Sequence, residues 1–546
     1  MPDLTNGKPV KTKTCANCDA DFDLTDKHLE FYNHIKVPEP TWCPECRHIR
    51  RHGFINDYVF YLRKCDNCQT SFVSTFPPNS EYKVFCHDCW FDEKRDDKAE
   101  GREYDPNRSF FEQFDELLHA APQLGIIGMQ NTNSEYCESI ANCKNCYLIS
   151  ECSNCEDCMH SYWIQRTKDS IDLAYTDHCE RCYECTDCIG CFKLQHGRQS
   201  NHCKDSYFLD NCSNCTNCLF CTNLRHKQYY IFNKPHTKEE YEKLLAELKL
   251  NDWQAAQSAK QKFEDFLKTQ PRKHLQIEKT ENCMGNHIYN AENCYQVFHC
   301  YDAEDCAYGE HVWRDARDCM DSNSAGRSAE LLYETTNSGI GSYNVKFSRY
   351  CWGSKDTEYC NQCKNGRNLF GCASLQPGAR YCILNHQYTK EEYEALTKQI
   401  HQKMLEDKEY GEFFPLAISI FGYNNTLSYE DHPYTKEEVI KKGWKWENQE
   451  SGTRNKGDEK KGILTCELCQ KNYQPIPKEL KFYKSENLPI PRECPHCRHK
   501  QRLKIYGGRN LHQTACTKCN AKIETTYDPK EFPQIYCREC YLGEVY

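Results

Sequence analysis

Three spacings of apolar and small residues run through this chain, and each predicts a different element. The first is helical. Phe110, Phe114, Leu117, Leu118 and Ala121 fall on one face, and Ser109 with Glu112 gives the start signal of a capping box. Tyr241, Leu244, Leu245 and Leu248 form a second stripe, and Tyr393, Leu396, Ile400 and Met404 a third. Both stripes open on the same sequence, Thr237-Lys238-Glu239-Glu240-Tyr241 and Thr389-Lys390-Glu391-Glu392-Tyr393, which again reads as a capping box. A further box, Thr435 to Glu438, precedes a polar linker around 449–462.

Between these helices the spacing becomes three. Cysteines stand at Cys179, Cys182, Cys185, Cys188 and Cys191, and again at Cys212, Cys215, Cys218 and Cys221. The segment is crowded with Asn-Cys and Asp-Cys pairs and repeats itself at an offset of 60: Cys143-Lys144-Asn145-Cys146-Tyr147 matches Cys203-Lys204-Asp205-Ser206-Tyr207. Farther on, Cys294, Cys300 and Cys306 step by six. Short steps, small residues and Asn/Asp corners predict a β-solenoid of short coils in two halves, with cysteine as the small inward residue. The helices are expected to cover its open ends. The spacing of three is a difficulty, because side chains alternate along a strand with period two. Corners must therefore be frequent, or the backbone partly polyproline-like.

The third spacing is C-x-x-C. Cys15/Cys18, Cys43/Cys46, Cys65/Cys68 and Cys86/Cys89 recur at an offset of 451 as Cys466/Cys469, Cys494/Cys497, Cys516/Cys519 and Cys537/Cys540, with no gap. Lys27, Phe31-Tyr32, Pro38, Pro40, Pro44, Arg47-His48 and Arg51 are matched at the same offset, so the block is duplicated. Its pairs are 24 and then 17 residues apart, spacings that suit two zinc knuckles closing one tetrahedral four-cysteine site. Sixteen cysteines would then hold four Zn2+. Consecutive pairs could close each site, or Cys15/Cys18 could be cross-braced to Cys65/Cys68, and spacing leaves both open.

The pattern C-x-x-C-x-x-x-Phe, Phe-Tyr, Pro-x-Pro, C-P-x-C-Arg resembles a probable zinc-ribbon domain, which favours pairing consecutive knuckles. It covers roughly 37 residues of each copy, with Tyr473 replacing the Phe in the second. The whole order also resembles a group of uncharacterised Cys-rich bacterial proteins: zinc block, Cys-rich repeats with Tyr-Thr-Lys-Glu-Glu-Tyr helices, Gly-Glu-Phe-Phe-Pro at 411–415, second zinc block. That resemblance implies the architecture and carries no activity.

The expected fold is mainly β and multidomain, with zinc-ribbon or treble-clef-like modules at both ends. The expected domains are tandem zinc modules at 10–95, a helix at 108–125, repeat half one at 126–233, a helical segment at 234–270, repeat half two at 283–388, a helix at 389–410, a helix and polar linker at 433–462, and the second zinc modules at 463–546. Forty-two cysteines without an apolar signal core at the first residues predict reduced thiols in the cytoplasm. No apolar run is long enough for a membrane span.

Net charge is −10 and uneven. Residues 1–98 carry −2 and 433–546 carry +7, leaving −15 for 99–432. Only the C-terminal block is basic, and there Arg498, Lys500, Arg502, Lys504 and Arg509 surround Tyr506. Such a stretch could contact phosphate and base, or be a solvated face. Spacing argues against an iron–sulfur reading of Cys179-x-x-Cys182-x-x-Cys185, since Cys188, Cys191 and Phe192 follow where C-x-x-x-C-P is needed. The exchange of Cys146 for Ser206 argues the same way, since a small packed residue tolerates it more readily than a cluster ligand. A zinc deaminase, suggested by His28-Leu29-Glu30 before Cys43-Pro44-Glu45-Cys46, fails because four thiolates leave no position for water. The reading is a zinc-binding, non-enzymatic scaffold whose partner is protein or nucleic acid, with no small-molecule cofactor. The alternatives are an enzyme on the solenoid face and an iron–sulfur, thiol redox or metal-handling protein.

Overall fold

The computed structural model describes residues 9–449 and 462–545. Most of the polar linker therefore lies outside the described residues. The chain is mainly β and forms two compact units, each made of two separate pieces. Unit 1 joins Met1–Gly125 to Leu275–Glu450, and unit 2 joins Ile126–His274 to Ser451–Tyr546. Each cysteine block thus packs with one central half, and the pairing crosses the chain order: the first block belongs with the second half, and the second block with the first.

In unit 2 the central half is one eleven-stranded sheet with its strands in sequence order, from Gly128–Met129 to Lys234–Pro235. Its neighbours are parallel until a final antiparallel return of Tyr230–Ile231 against Lys234–Pro235. Met159 pairs with Ile171, Ile171 with Tyr183, and Tyr183 with Gln195. Isolated bridges between the strands step the same way, Lys144 to Glu156 to Lys168 to Glu180. Every rung is therefore twelve residues long.

The backbone accounts for the spacing of three. From Gln130 to Phe232 a left-handed residue recurs at every third position; Asn142, Asn145, Leu148, Glu151, Asn154 and Asp157 have φ between 50° and 56°. A twelve-residue rung has four such corners. Each corner resets the two-residue alternation of a strand, so the following residue turns inward, with Lys227 near the ladder's end an exposed exception. Cys143, Cys146, Cys152, Cys155 and Cys158 each follow a corner, and all are buried. Asn and Asp tolerate this conformation, and no Val, Ile or Thr adopts it among the described residues, as expected for β-branched side chains.

The inward thiols act as hydrogen-bond donors. Cys182 Sγ donates to the Glu180 carbonyl at 3.4 Å and Cys185 Sγ to that of Tyr183 at 3.4 Å, two residues back in each case. The offset of 60 is five rungs, so Cys146 and Ser206 hold the same corner. Cys146 Sγ donates to the Lys144 carbonyl at 3.4 Å, and Ser206 Oγ to that of Lys204 at 2.7 Å. Burial pushes the Cys185 and Cys188 thiols well above their ordinary range, whereas the Cys143 thiol pulls Cys155 and the Cys182 thiol pulls Cys179 below it.

Unit 1 contains the second ladder, ten strands from Ile277–Glu278 to His386–Gln387 in sequence order. Its rungs vary: Gly285 pairs with Val297 and Tyr343 with Lys355, twelve on, while Arg317 pairs with Glu330 and Glu330 with Tyr343, thirteen on. The six-residue step of Cys294, Cys300 and Cys306 is two corners. Alanine takes many inward places here, including Ala303, Ala316, Ala325 and Ala329, all buried.

The helices start where the sequence predicts. Thr237, Thr389 and Thr435 form complete capping boxes. Ser109 forms only half of one, accepting from Glu112 N–H; its own hydroxyl and the Phe110 N–H reach Glu409 instead. Lys390–Glu406 does not simply cover a ladder end. Tyr393 meets Tyr381 of the last parallel rung, His401 meets Phe370 one rung back, and His401 Nε2 lies 3.0 Å from Glu358 Oε2 another rung back. It lies along the ladder's side. The physical reason is that the antiparallel return of Arg380–Ile383 against His386–Gln387 already pairs the exposed edge.

Candidate metal centres

Each terminal block presents the same local design twice. A C-x-x-C pair sits in the turn of a short antiparallel hairpin, such as Pro9–Thr14 with Asp21–Thr25. The residue four after the first cysteine is left-handed in all four cases: Asp19, Gln69, Gln470 and Asn520. The second pair opens a helix, with Cys43 and Cys494 as N-caps of Pro44–His52 and Pro495–Tyr506. The N–H of the third cysteine donates to the first Sγ at 3.2–3.3 Å in every module.

These turns bring together Cys15, Cys18, Cys43 and Cys46; Cys65, Cys68, Cys86 and Cys89; Cys466, Cys469, Cys494 and Cys497; and Cys516, Cys519, Cys537 and Cys540. Consecutive pairs close each group, and the cross-braced arrangement does not occur. Within each set the four sulfurs lie within 4.8 Å of one another. The second-to-third contacts are 3.7–3.8 Å. A regular tetrahedron with metal–sulfur bonds of about 2.3 Å has edges of about 3.8 Å. The donor set therefore fits a tetrahedral, thiolate-preferring cation. Each group also has a thiol poised to ionise. The Cys46 side chain pulls Cys43 down to about 5, and Thr70 brings Cys68 to about 6. Burial works upward on Cys466 and Cys516, but neighbouring backbone N–H groups outweigh it and hold both at about 6.

The basic residues after the second knuckle have a role that sequence reasoning missed. In unit 1, Arg47 Nη2 lies 2.8 Å from Asp321 Oδ2, and Arg51 Nη1 lies 3.4 Å from its Oδ1. In unit 2, Arg498 Nε lies 2.9 Å from Asp172 Oδ2, and Arg502 Nη1 lies 2.8 Å from Oδ1. All six residues are buried, and both aspartates stand at left-handed corners, with φ 59° and 61°. Two arginines one helical turn apart thus clamp one ladder aspartate and dock each knuckle helix on its ladder.

The expected polyanion contact is revised accordingly. Arg498 and Arg502 face inward, so neither can reach a phosphate without giving up Asp172. Lys500 and Lys504 are exposed, Lys504 lying 3.0 Å from Glu531, and Arg509 is half-buried. No local signal marks Asp172 or Asp321, because their partners lie 270 residues or more away along the chain.

Beside the clamp, unit 2 has a cleft of about 320 Å³ between rung residues Thr186, Arg198 and Asp210, helix residues Gln257, Lys260 and Glu264, and Gln501, Lys504 and Ile505. Its charges are compensated internally, Arg198 by Glu264, Arg272 by Asp210 and Lys260 by Glu184. No family model matches the chain, and no curated protein matches it.

Proposed function

We propose that this protein is a zinc-stabilised, non-catalytic scaffold in a reducing compartment such as the cytoplasm. In this reading the four cysteine groups are zinc-ribbon or treble-clef-like modules, each holding one Zn2+. The ladders are four-cornered β-solenoids that carry a binding face, and the chain belongs with the uncharacterised Cys-rich bacterial proteins it resembles. The observation that carries the reading is the fourfold recurrence of one closed sulfur tetrahedron. Four protein thiolates fill a tetrahedral shell and leave no position for water or substrate, which is the mark of a structural site. The thiols of the ladders point the same way, as hydrogen-bonded packing groups instead of ligands. A protein partner is favoured over nucleic acid, because Arg498 and Arg502 are committed to Asp172.

Co-purification from the native cytoplasm at moderate salt tests this. A protein partner that is retained by Cys185→Ser and lost with Cys43→Ser supports the scaffold. Nucleic acid that co-purifies instead and is released steeply by salt, through counterion release, would replace the protein partner with a polyanion.

A further inference from the structure

The helix Pro44–His52 carries two histidines one turn apart, His48 and His52, with ring centroids 3.9 Å apart. Two other elements bring carboxylates to them. Glu310, on a ladder rung, places Oε2 3.9 Å from His48 Nε2 and 3.8 Å from His52 Nε2. Asp431, from the short helix Leu427–Asp431, places Oδ2 4.0 Å from His48 Nε2 and 3.4 Å from His52 Nδ1. The two carboxylates thus face opposite nitrogens of the His52 ring, and His48, His52 and Asp431 form a group that could hold one ion. Ligands on bonds of about 2.0–2.1 Å to a tetrahedral ion lie about 3.4 Å apart, so the His52–Asp431 approach already matches and the His48–Asp431 approach closes by about half an ångström.

Two observations separate this cluster from ordinary packing. The first is His52 itself. It is 7% exposed, and its Nδ1 makes no hydrogen bond while facing Asp431. The ring is held on its far side by Asn323, which contacts Nε2. With Nδ1 on an ion, Nε2 keeps its proton and faces Glu310 Oε2, 3.8 Å away, as the supporting carboxylate usual for a metal-bound imidazole.

The second observation is the other unit. At the offset of 451, His499 stands in place of His48, but Leu503 stands in place of His52. Tyr308, one rung before Asp321, corresponds to His160, one rung before Asp172, so Glu310 corresponds to Tyr162. The Tyr162 ring indeed meets His499 edge-on at 5.6 Å. Unit 2 therefore keeps the arginine clamp and docks its helix with Leu and Tyr where unit 1 has donors. Docking does not need the His and carboxylate groups.

We propose that His48, His52 and Asp431 bind one divalent first-row transition-metal ion, with Glu310 beside them. The mixed nitrogen and oxygen set suits Zn2+, Fe2+ or Mn2+ and differs from the thiolate groups. Glu310 Oε1 lies 3.7 Å from His311 Nε2 and is steadied from behind. The Asp431 side chain is 52% exposed, so the ion has a route from solvent and a water can complete its shell.

The site is independent of the thiolate tetrads, which can be full while it is empty. The test is native mass spectrometry of the full-length chain after excess Zn2+ and desalting, followed by a thiol-specific mercurial. The expected result is five Zn2+ per chain, four of them released with the thiols. His52→Leu, which copies the other unit, and Asp431→Asn each lower the total to four without changing the released four. Should His52→Leu misfold, the solvent-side Asp431→Asn gives the same reading. A wild-type chain holding only the thiol-released metal, or five ions persisting in Asp431→Asn and in folded His52→Leu, would overturn the proposal. Fewer than four thiol-released ions would instead count against the scaffold reading.

Discussion

Unit 1 and unit 2 are built from the same parts and differ in who meets whom. Both have two sulfur tetrahedra, a knuckle helix with two clamping arginines, and an aspartate at a ladder corner. The next rung carries an acid in both, Glu334 and Glu184, but its partner differs. Arg50 meets Glu334 at 2.8 Å in unit 1. Its counterpart in unit 2 is Gln501, and Glu184 is met by Lys260 at 3.1 Å from a different helix. One rung the other way, the polarity is reversed. His28 packs against Tyr308 in unit 1, whereas its counterpart Glu479 lies 3.2 Å from His160 in unit 2. The clamp and the tetrahedra are common because each satisfies buried polar atoms that a single change would strand. The flanking contacts exchanged partners together, each remaining compensated.

The largest expected effect treats the units alike. If the tetrads hold zinc as proposed, removing it should unfold Cys15–Cys89 and Cys466–Cys540 while both ladders stay ordered, since structural zinc supplies about 10–16 kcal/mol in small modules. Hydrogen exchange before and after chelation measures this. Equal protection of the blocks in both states would show that the helix clamps, not the ions, hold them.

Next is the clamp. Asp321→Asn and Asp172→Asn keep the left-handed corner but strand two buried arginines, each at a cost of about 3–5 kcal/mol. Denaturation monitored separately in each unit should show each variant weakening its own unit. If Asp172→Asn is harmless, the shared clamp is not what docks the helix.

Acid should then separate the units. Burial, followed by the Arg47 charge, pushes His28 down to about 4. A histidine whose folded value lies below its ordinary 6.5 stabilises above 6.5, and that stability is lost as pH falls toward 4, in total about 3 kcal/mol. On Glu479 burial works upward, but His160 and then Arg498 outweigh it and hold the carboxyl at about 2. Its contribution is present above the ordinary 4.5 and is lost only between 4.5 and 2. Unit 1 should therefore soften first on acidification. His28→Phe, which keeps an aromatic against Tyr308, should remove the early loss, and an unchanged pH profile would assign that loss to another group.

What could be read from the sequence follows from how local each cause is. The sixteen cysteines were legible because each pair sits in one turn and the duplication repeats every spacing. The helix starts were legible because a capping box needs only four residues. The ladder's spacing of three was visible, but its cause was not. Leu148, Trp163 and Phe208 take left-handed corners that no propensity assigns to them; the register of the rungs imposes it. The crossing of blocks and ladders left no trace, because Arg47 and Asp321 touch across 274 positions. Arg498 and Arg502 looked like a basic surface because their acid was out of sequence range.

The smallest effect bears on what both ladders share. If the inward cysteines serve as small donors, a hydroxyl should replace a thiol at nearly the same stability. Ser206 already does so, donating to the Lys204 carbonyl and accepting from the Cys218 N–H at 3.0 Å. Cys146→Ser should therefore change stability by well under the roughly 1 kcal/mol of an average substitution. Cys182→Ser and Cys185→Ser, which lie deeper among apolar neighbours, should cost on the order of 1 kcal/mol. Alanine at Cys185 should cost more than serine, because the Tyr183 carbonyl loses its donor in a site closed to water. None of these changes should alter the metal content, whereas Cys43→Ser and Cys494→Ser should each lose about one ion. Metal per chain and urea midpoints across the series decide it. A ladder variant that loses metal would turn these thiols into ligands, and alanine outperforming serine would mean that size alone, not the hydrogen bond, selects cysteine at the corners.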